Sequence, residues 1–234
     1  MQKQPSQIVT FVIDKDLDIK NHFIALNAYK QNKERGVSNS REDSSEALLL
    51  LKSEEEKKVQ IEKTIAQYYK KEERLQSLAD DINKEWVKIE KDVIKKLEEI
   101  HKFPFQFTSI RGVLSSANRC GYNTQECWFA TSMRSNKFLC IDVATHELMH
   151  FMFHKYYEKI CYDKGLNKDQ IWHIKESFSV LLNIEFMQFR FQQDFGKNSP
   201  THLKLREIIK NSWEKNHDFN KCLDEAIDFV KTIK

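Results

Sequence analysis

The sequence predicts an α+β protein that is mostly helical, with a small antiparallel sheet and a long Glu/Lys-rich helical region. Three observations predict this. The 234 residues include only 5 Gly and 3 Pro, too few for a turn-rich β protein, so long helices should dominate. Residues 42–101 are almost all helix formers around one apolar stripe. Short β-branched and aromatic runs, separated by polar or Gly-containing turns, gather in residues 103–142.

The elements follow in order. "IVTFVID" (8–14) reads as a short strand. "LDIKNHFIALNAYKQN" (17–32) places Ile19, Phe23, Leu26 and Tyr29 near helical spacing, and "KERGVSNS" (33–40) is a polar break that closes an N-terminal segment, 1–40. The charged helical region, 41–101, carries Ile61, Ile65, Tyr68, Leu75, Leu78, Ile82, Trp86, Ile89, Val93, Leu97 and Ile100 in steps of three and four with one gap. Unbroken, it would run about 70 Å, whereas a compact chain of this length is only about 45 Å across. A hairpin is therefore expected, broken near Ser77, where Ser77 and Asp80 offer a capping box. The Glu and Lys residues read as a solvated face or as a surface for a helical partner protein.

The third segment, 102–234, begins with "FPFQFTSIRGVLSS", "ECWFATSM" and "KFLCIDV", three successive strands expected to pair antiparallel. Helices follow: "VATHELMHFMFHKYYEKI" with Asp142 as N-cap, "DQIWHIKESFSVLLNIEFMQFRFQQDF" closed by Gly196 and Pro200, then "THLKLREIIKNSW" and "FNKCLDEAIDFVKTI".

Bulk properties exclude several classes. A net charge of +3 with interspersed signs argues against nucleic acid or a membrane surface as partner. Five cysteines, an odd number without a CxxC pair, argue against a disulfide framework or a Cys-rich zinc site and for free thiols in a reducing compartment. There is no signal-like start and no run of 18 apolar residues, so a cytoplasmic location is expected.

The chemistry concentrates in "VATHELMHFMFH" (143–154). On a helix His146 and His150 lie one turn and about 40° apart, so both imidazoles can converge on one ion. Glu147 lies about 60° round from His150, where its carboxylate can reach a water on that ion without ligating it. The residues around the motif, Ala144, Leu148, Met149, Phe151 and Met152, are uncharged. Over these ten residues "VATHELMHFM" resembles the active-site helix of the zincin metallopeptidases. The resemblance implies one Zn²⁺, His146 and His150 as ligands, and Glu147 as general base for the hydrolysis of peptide or protein substrates.

The third ligand separates zincin types. His154 would sit about 12 Å along the axis from His146 and about 80° round, too far to close on the same ion. Phe153 stands where the metzincins have a turn-forming Gly. Glu176, 26 residues after His150 and followed by six uncharged residues, resembles the Glu that gluzincins present from a second helix. A carboxylate near a core must be paired or bound to metal, so Glu176 reads as a ligand or as a partner of a Lys or Arg. Glu158 fails by the axial distance that removes His154, and Glu185 lies further down its helix. His173, three residues before Glu176, is the first candidate for proton donor, oxyanion stabiliser or support of the site; Tyr156, Tyr157, Tyr122, His202 and His217 follow. In zincins an antiparallel edge strand before the metal helix holds the substrate, and "ECWFATSM" (126–133) is the candidate for it. A second reading is a regulatory zincin-like metal-binding protein that uses its long helices for protein–protein contacts.

Overall fold

The computed structural model describes residues 7–34 and 45–233. The element order is β1 (Val9–Val12), α1 (Lys15–Glu34), α2 (Ser45–Leu50), α3 (Glu54–Tyr69), α4 (Glu72–His101), β2 (Ile110–Ser115), β3 (Tyr122–Asn123), β4 (Trp128–Ser132), α5 (Lys137–Tyr156), α6 (Glu158–Asp163), α7 (Lys168–Ser177), a 3₁₀ turn (Phe178–Leu181), α8 (Leu182–Glu185), α9 (Pro200–Asn216) and α10 (Phe219–Lys231). The chain is mostly helical with one small sheet, as the composition requires. Part of the polar break at 33–40, and the boundary at 40/41, lie outside the described residues. Among the described residues no helix is long and apolar enough to cross a membrane.

Two compact units form. The first comprises Met1–Glu90 and Phe107–Ala144, the second Lys91–Gln106 and Thr145–Lys234. Each is assembled from two separated stretches of chain.

The first unit holds the sheet, in the order β1-β2-β4-β3. The sheet is mixed, which corrects the antiparallel expectation. β1 pairs with β2 in parallel from Val9↔Ile110 to Val12↔Val113, and β2 pairs with β4 in parallel from Arg111↔Trp128 to Ser115↔Ser132. Only the two-residue β3 is antiparallel, beside Trp128 and Phe129. The reason is connectivity. Parallel neighbours need a crossover of a dozen or more residues. Helices α1–α4 provide one between β1 and β2, and the 116–127 segment containing β3 provides the other. Gly112 is required in β2, because a Cβ there would lie 2.7 Å from the ring of Phe11 and 3.0 Å from that of Phe129. Those rings meet edge to face at 5.9 Å, and Phe11 meets Trp86 likewise at 6.2 Å.

The outer edge of β1 is covered by side chains of α4. Asn83 accepts from Phe11 N at 2.8 Å and donates to Phe11 O at 2.9 Å, as a neighbouring strand would. Two turns on, the buried Glu90 carboxylate accepts from Ile8 N, from Val9 N at 2.7 Å and from Trp86 Nε1 at 2.8 Å. The charged region breaks at residues 70–71, not at Ser77, which is inside α4. That break falls in the one gap of the apolar stripe, so each helix keeps its own buried row: Ile61, Ile65 and Tyr69 on α3, and Leu75, Ala79, Ile82 and Trp86 on α4. The capping box forms instead at Ser53 and Glu56, and α3 packs against α1.

"KFLCIDV" is helical, not a strand. Asn136 Oδ1 accepts from Phe138 N and Leu139 N, both at 3.0 Å, and starts α5 six residues before Asp142. Cys140, Ile141, Ala144 and Leu148 then bury one helix face.

In the second unit, Tyr157 and Phe219 stack at 4.3 Å and Phe178 and Phe219 at 4.1 Å, with His101 4.5 Å from Phe219. The helix read over 169–195 is shorter: α7 gives way to a 3₁₀ turn and α8, and residues 186–199 are a loop. Tertiary hydrogen bonds replace the helical ladder there. Asn183 Oδ1 accepts from Asp194 N at 2.7 Å, and Asn183 Nδ2 donates to Asp194 O at 2.8 Å. Pro200 opens α9 behind the Ser199 N-cap rather than closing the preceding helix. The last two helices, α9 and α10, match the amphipathic segments read from the sequence.

Candidate metal centre

The site is built within the second unit from α5, α7 and the 186–199 loop. In α5 the four-residue spacing brings the His146 and His150 rings to 4.4 Å, nearly perpendicular at 84°. In α7 a capping box between Asn167 and Gln170 fixes the helix start. Nine residues on, Glu176 points at the histidines, with Oε1 3.7 Å from His150 Nε2. One ligand atom from each of His146, His150 and Glu176 lies within 4.8 Å of the others, close enough to share one metal ion.

The 186–199 loop supplies what sequence reading missed. Asp194 Oδ2 is 2.7 Å from His146 Nδ1. Its other oxygen accepts from Ser179 Oγ at 2.8 Å, Gly196 N at 3.0 Å and Arg206 Nη1 at 3.2 Å. A carboxylate on one ring nitrogen fixes the tautomer and turns the other nitrogen toward the ligand position. Burial opposes a charged Asp194, but His146, Ser179 and Arg206 together hold its carboxyl well below the usual range. At His146 burial lowers the pKa, and the Asp194 hydrogen bond together with the charges of Asp194, Glu147 and Glu176 raises it above the ordinary value.

Two lysines were also missed. Lys175 is buried, with Nζ 2.6 Å from Glu176 Oε1, and Lys197 Nζ is 3.4 Å from Glu176 Oε2. The lysine pairing read for Glu176 is therefore present, and the same carboxylate lies with the two histidines in a group that could hold a metal ion. Burial raises its pKa, but Lys175 and Lys197 hold it well below the ordinary value. Burial, then Lys175, holds His150 well below its ordinary value, keeping it the neutral imidazole that a metal requires. Adjacent helix residues point about 100° apart, so the Lys175–Glu176 contact is invisible to spacing. A visible signal was the Lys-Glu doublet heading an uncharged stretch.

Glu147 is buried, and its Oε2 has no hydrogen-bond partner among the described residues. Burial, against the pull of His146 and Lys175, pushes its carboxyl up to about 7. Two imidazoles, one carboxylate and a further carboxylate with an open acceptor fit the donor set of a catalytic metal site.

None of the remaining candidates belongs to the group of three that could hold a metal. His154 pairs with Glu158 at 3.0 Å, outside the cluster. Glu185 accepts from Trp213 Nε1 at 2.9 Å. Tyr157 donates to His101 O at 2.7 Å, Tyr156 donates to Pro104 O, and His217 is the left-handed C-cap of α9. Tyr122 belongs to β3 in the first unit. The His173 ring lies 4.7 Å from that of His202, whose Nδ1 is 2.9 Å from Ser199 Oγ. Burial, then His173, pushes His202 down to about 3. The strand expected to hold substrate, β4, is not an edge: β2 flanks it along its length, β3 covers part of its other side, and Trp128 and Phe129 are fully buried in packing.

No protein-family model, curated protein or solved structure matches the chain.

Proposed function

We propose that this chain is a zinc-dependent metallopeptidase of the zincin kind, with His146, His150 and Glu176 holding the ion and Glu147 as general base. The observation that carries the reading is the meeting of the His146–Glu147–His150 turn with a carboxylate from another helix, beside a buried Glu147 oxygen that has no hydrogen-bond partner among the described residues. Zinc bound there supplies Lewis acidity, polarising a peptide carbonyl and lowering the pKa of water toward about 7. Glu147 takes the proton from the attacking water at its open oxygen and returns it to the leaving amine. Asp194 keeps His146 oriented through this transfer, and Arg206 and Ser179 hold Asp194. The free thiols support placement in a reducing compartment such as the cytoplasm.

Elemental analysis of wild type, Glu176→Ala and Glu147→Gln, with a peptide-library assay, tests the proposal. The expected outcome is about one zinc per wild-type chain, lost in Glu176→Ala. Glu147→Gln should keep its zinc and lose hydrolysis. The Lys175–Glu176 pair favours one second reading, a cluster that balances its charges without an ion. Wild-type protein that takes up no zinc on reconstitution would establish that second reading.

A further inference from the structure

The first unit holds a cavity of about 110 Å³, and none of its lining residues belongs to the metal cluster. Its lining is of two kinds. The apolar part is Ala25 and Leu26 of α1, Leu49 of α2 and Ile61 of α3. The polar part comes largely from the ends of the sheet: Ser116 and Asn118 lie just past β2, and Arg134 just past β4. β2 and β4 are parallel neighbours, paired as far as Ser115↔Ser132, so both strands end on the same side of the sheet. Open sheets of parallel strands take their ligands beyond those carboxyl ends.

The polar part is fixed in place. Asp18 of α1, fully buried, accepts from Ser116 N at 2.9 Å and from Ser116 Oγ at 2.8 Å. Asn21, one turn on, donates to Arg119 O at 3.0 Å and accepts from Gly121 N at 2.9 Å, which ties the rest of the loop to α1. Arg134 is held by four bonds. Its Nη1 donates to Tyr68 Oη at 2.9 Å and Ser116 O at 3.1 Å, and its Nη2 to Ala117 O at 3.0 Å and Asn118 Oδ1 at 2.8 Å. All four acceptors are neutral, and among the described residues no carboxylate pairs with this guanidinium. A guanidinium oriented by neutral acceptors keeps its charge for an incoming anion and gives up little freedom when one binds. Arg134 is also exposed, so this side of the cavity meets solvent. An apolar cavity of about 150 Å³ holds benzene. The space here suits a body of similar or smaller size whose charged head stays near solvent. We propose that the cavity binds a small organic carboxylate, its apolar body against Leu26, Leu49 and Ile61 and its anionic head at Arg134. The proposal is independent of the metal reading.

The test is a titration of nitrogen-labelled, full-length protein with benzoate, benzamide and acetate, read at the amides of Ser116, Ala117 and Asn118. Benzoate should shift these amides and saturate, with a Kd at least about tenfold below those of benzamide, which lacks the charge, and acetate, which lacks the apolar body. Thr64→Phe, at a half-buried position that lines the cavity, fills the space and leaves the bonds of Asp18, Asn21 and Arg134 untouched. It should weaken benzoate at least about tenfold. Arg134→Gln should weaken benzoate to the level of benzamide, with its melting midpoint measured alongside. Should that variant unfold, benzoate against benzamide on the wild type still decides the role of the charge. No shift at those amides at about 10 mM benzoate, ten times a Kd of about 1 mM, overturns the proposal. So does benzamide that binds as tightly as benzoate, or benzoate binding unchanged in Thr64→Phe. Acetate that binds as tightly as benzoate would show an adventitious anion on Arg134 only, and overturns it too.

Discussion

His101 and His146 show how differently one side chain behaves in two surroundings. His146 keeps a carboxylate on Nδ1, whereas both nitrogens of His101 are buried among aromatic rings without a hydrogen bond among the described residues, and burial pushes its pKa down to about 3. The sign of the linkage follows. The folded chain holds His101 neutral, while the unfolded chain protonates it below about 6.5. Between those values the unfolded state binds the extra proton, so stability is intact above about pH 6.5 and lost as pH falls toward 3. Each pH unit in that window costs up to about 1.4 kcal/mol. Urea midpoints at pH 7, 6 and 5 should fall less steeply for His101→Phe than for wild type; parallel slopes would show that His101 does not carry the effect. At this scale the sequence was legible where chemistry has a fixed spacing. His146, Glu147 and His150 share one turn, and Glu176 stands out as a charge ahead of an apolar run. Asp194 was not legible. It lies 48 residues from His146, and its polar neighbours, "QQDFGKNSP", look like the end of any helix.

Among elements, the helices were read most reliably where apolar periodicity and caps agree, as in α9 and α10. Misreadings arose where local preference lost to hydrogen bonds from elsewhere. "KFLCIDV" has β-leaning residues, yet Asn136 caps two amides and the run enters α5. "FMQFRFQQDF" has helical preference, yet Asn183 and Asp194 bind each other's backbone and amide groups and hold the chain open. The clearest case is α4, whose Asn83 and Glu90 complete the hydrogen bonding of β1. Glu90→Ala would leave Ile8 N, Val9 N and Trp86 Nε1 without their acceptor. At ~1–3 kcal/mol for a buried unsatisfied group, the loss should be about 3 kcal/mol or more. Glu90→Gln should recover part of it. A urea midpoint for Glu90→Ala within error of wild type would mean that the carboxylate does not hold the strand.

At the scale of the whole molecule, the chain was read as consecutive segments, 1–40, 41–101 and 102–234, whereas its compact units are each made from two distant stretches. Periodicity reports neighbours within an element and says nothing of which elements meet. The N-terminal strand is therefore placed in a sheet with β2 and β4, which local pattern could not foresee. The proposed ion makes a prediction at this scale. Zinc that binds only the folded chain stabilises it by about 2.7 kcal/mol at a hundredfold excess over Kd, which for ~150–250 residues is a rise of about 5–10 °C in Tm. A chelator should reverse the rise in wild type and change nothing in Glu176→Ala. Equal melting of zinc-loaded wild type with and without chelator would count against an ion that binds only the folded chain.

The slot that receives β1 also bears on the order of assembly. One wall is β2, whose first pair with β1 joins Val9 to Ile110; the other is the Asn83 and Glu90 face of α4. Both walls lie later in the chain than the strand they hold, and closing a loop of that length costs entropy before any contact repays it. β1 leaves the ribosome before either wall exists and has to wait, bare on both sides, until α4 and β2 are in place. Early in synthesis it is the segment most in need of shelter, and its docking is the step expected to set the folding rate of the sheet.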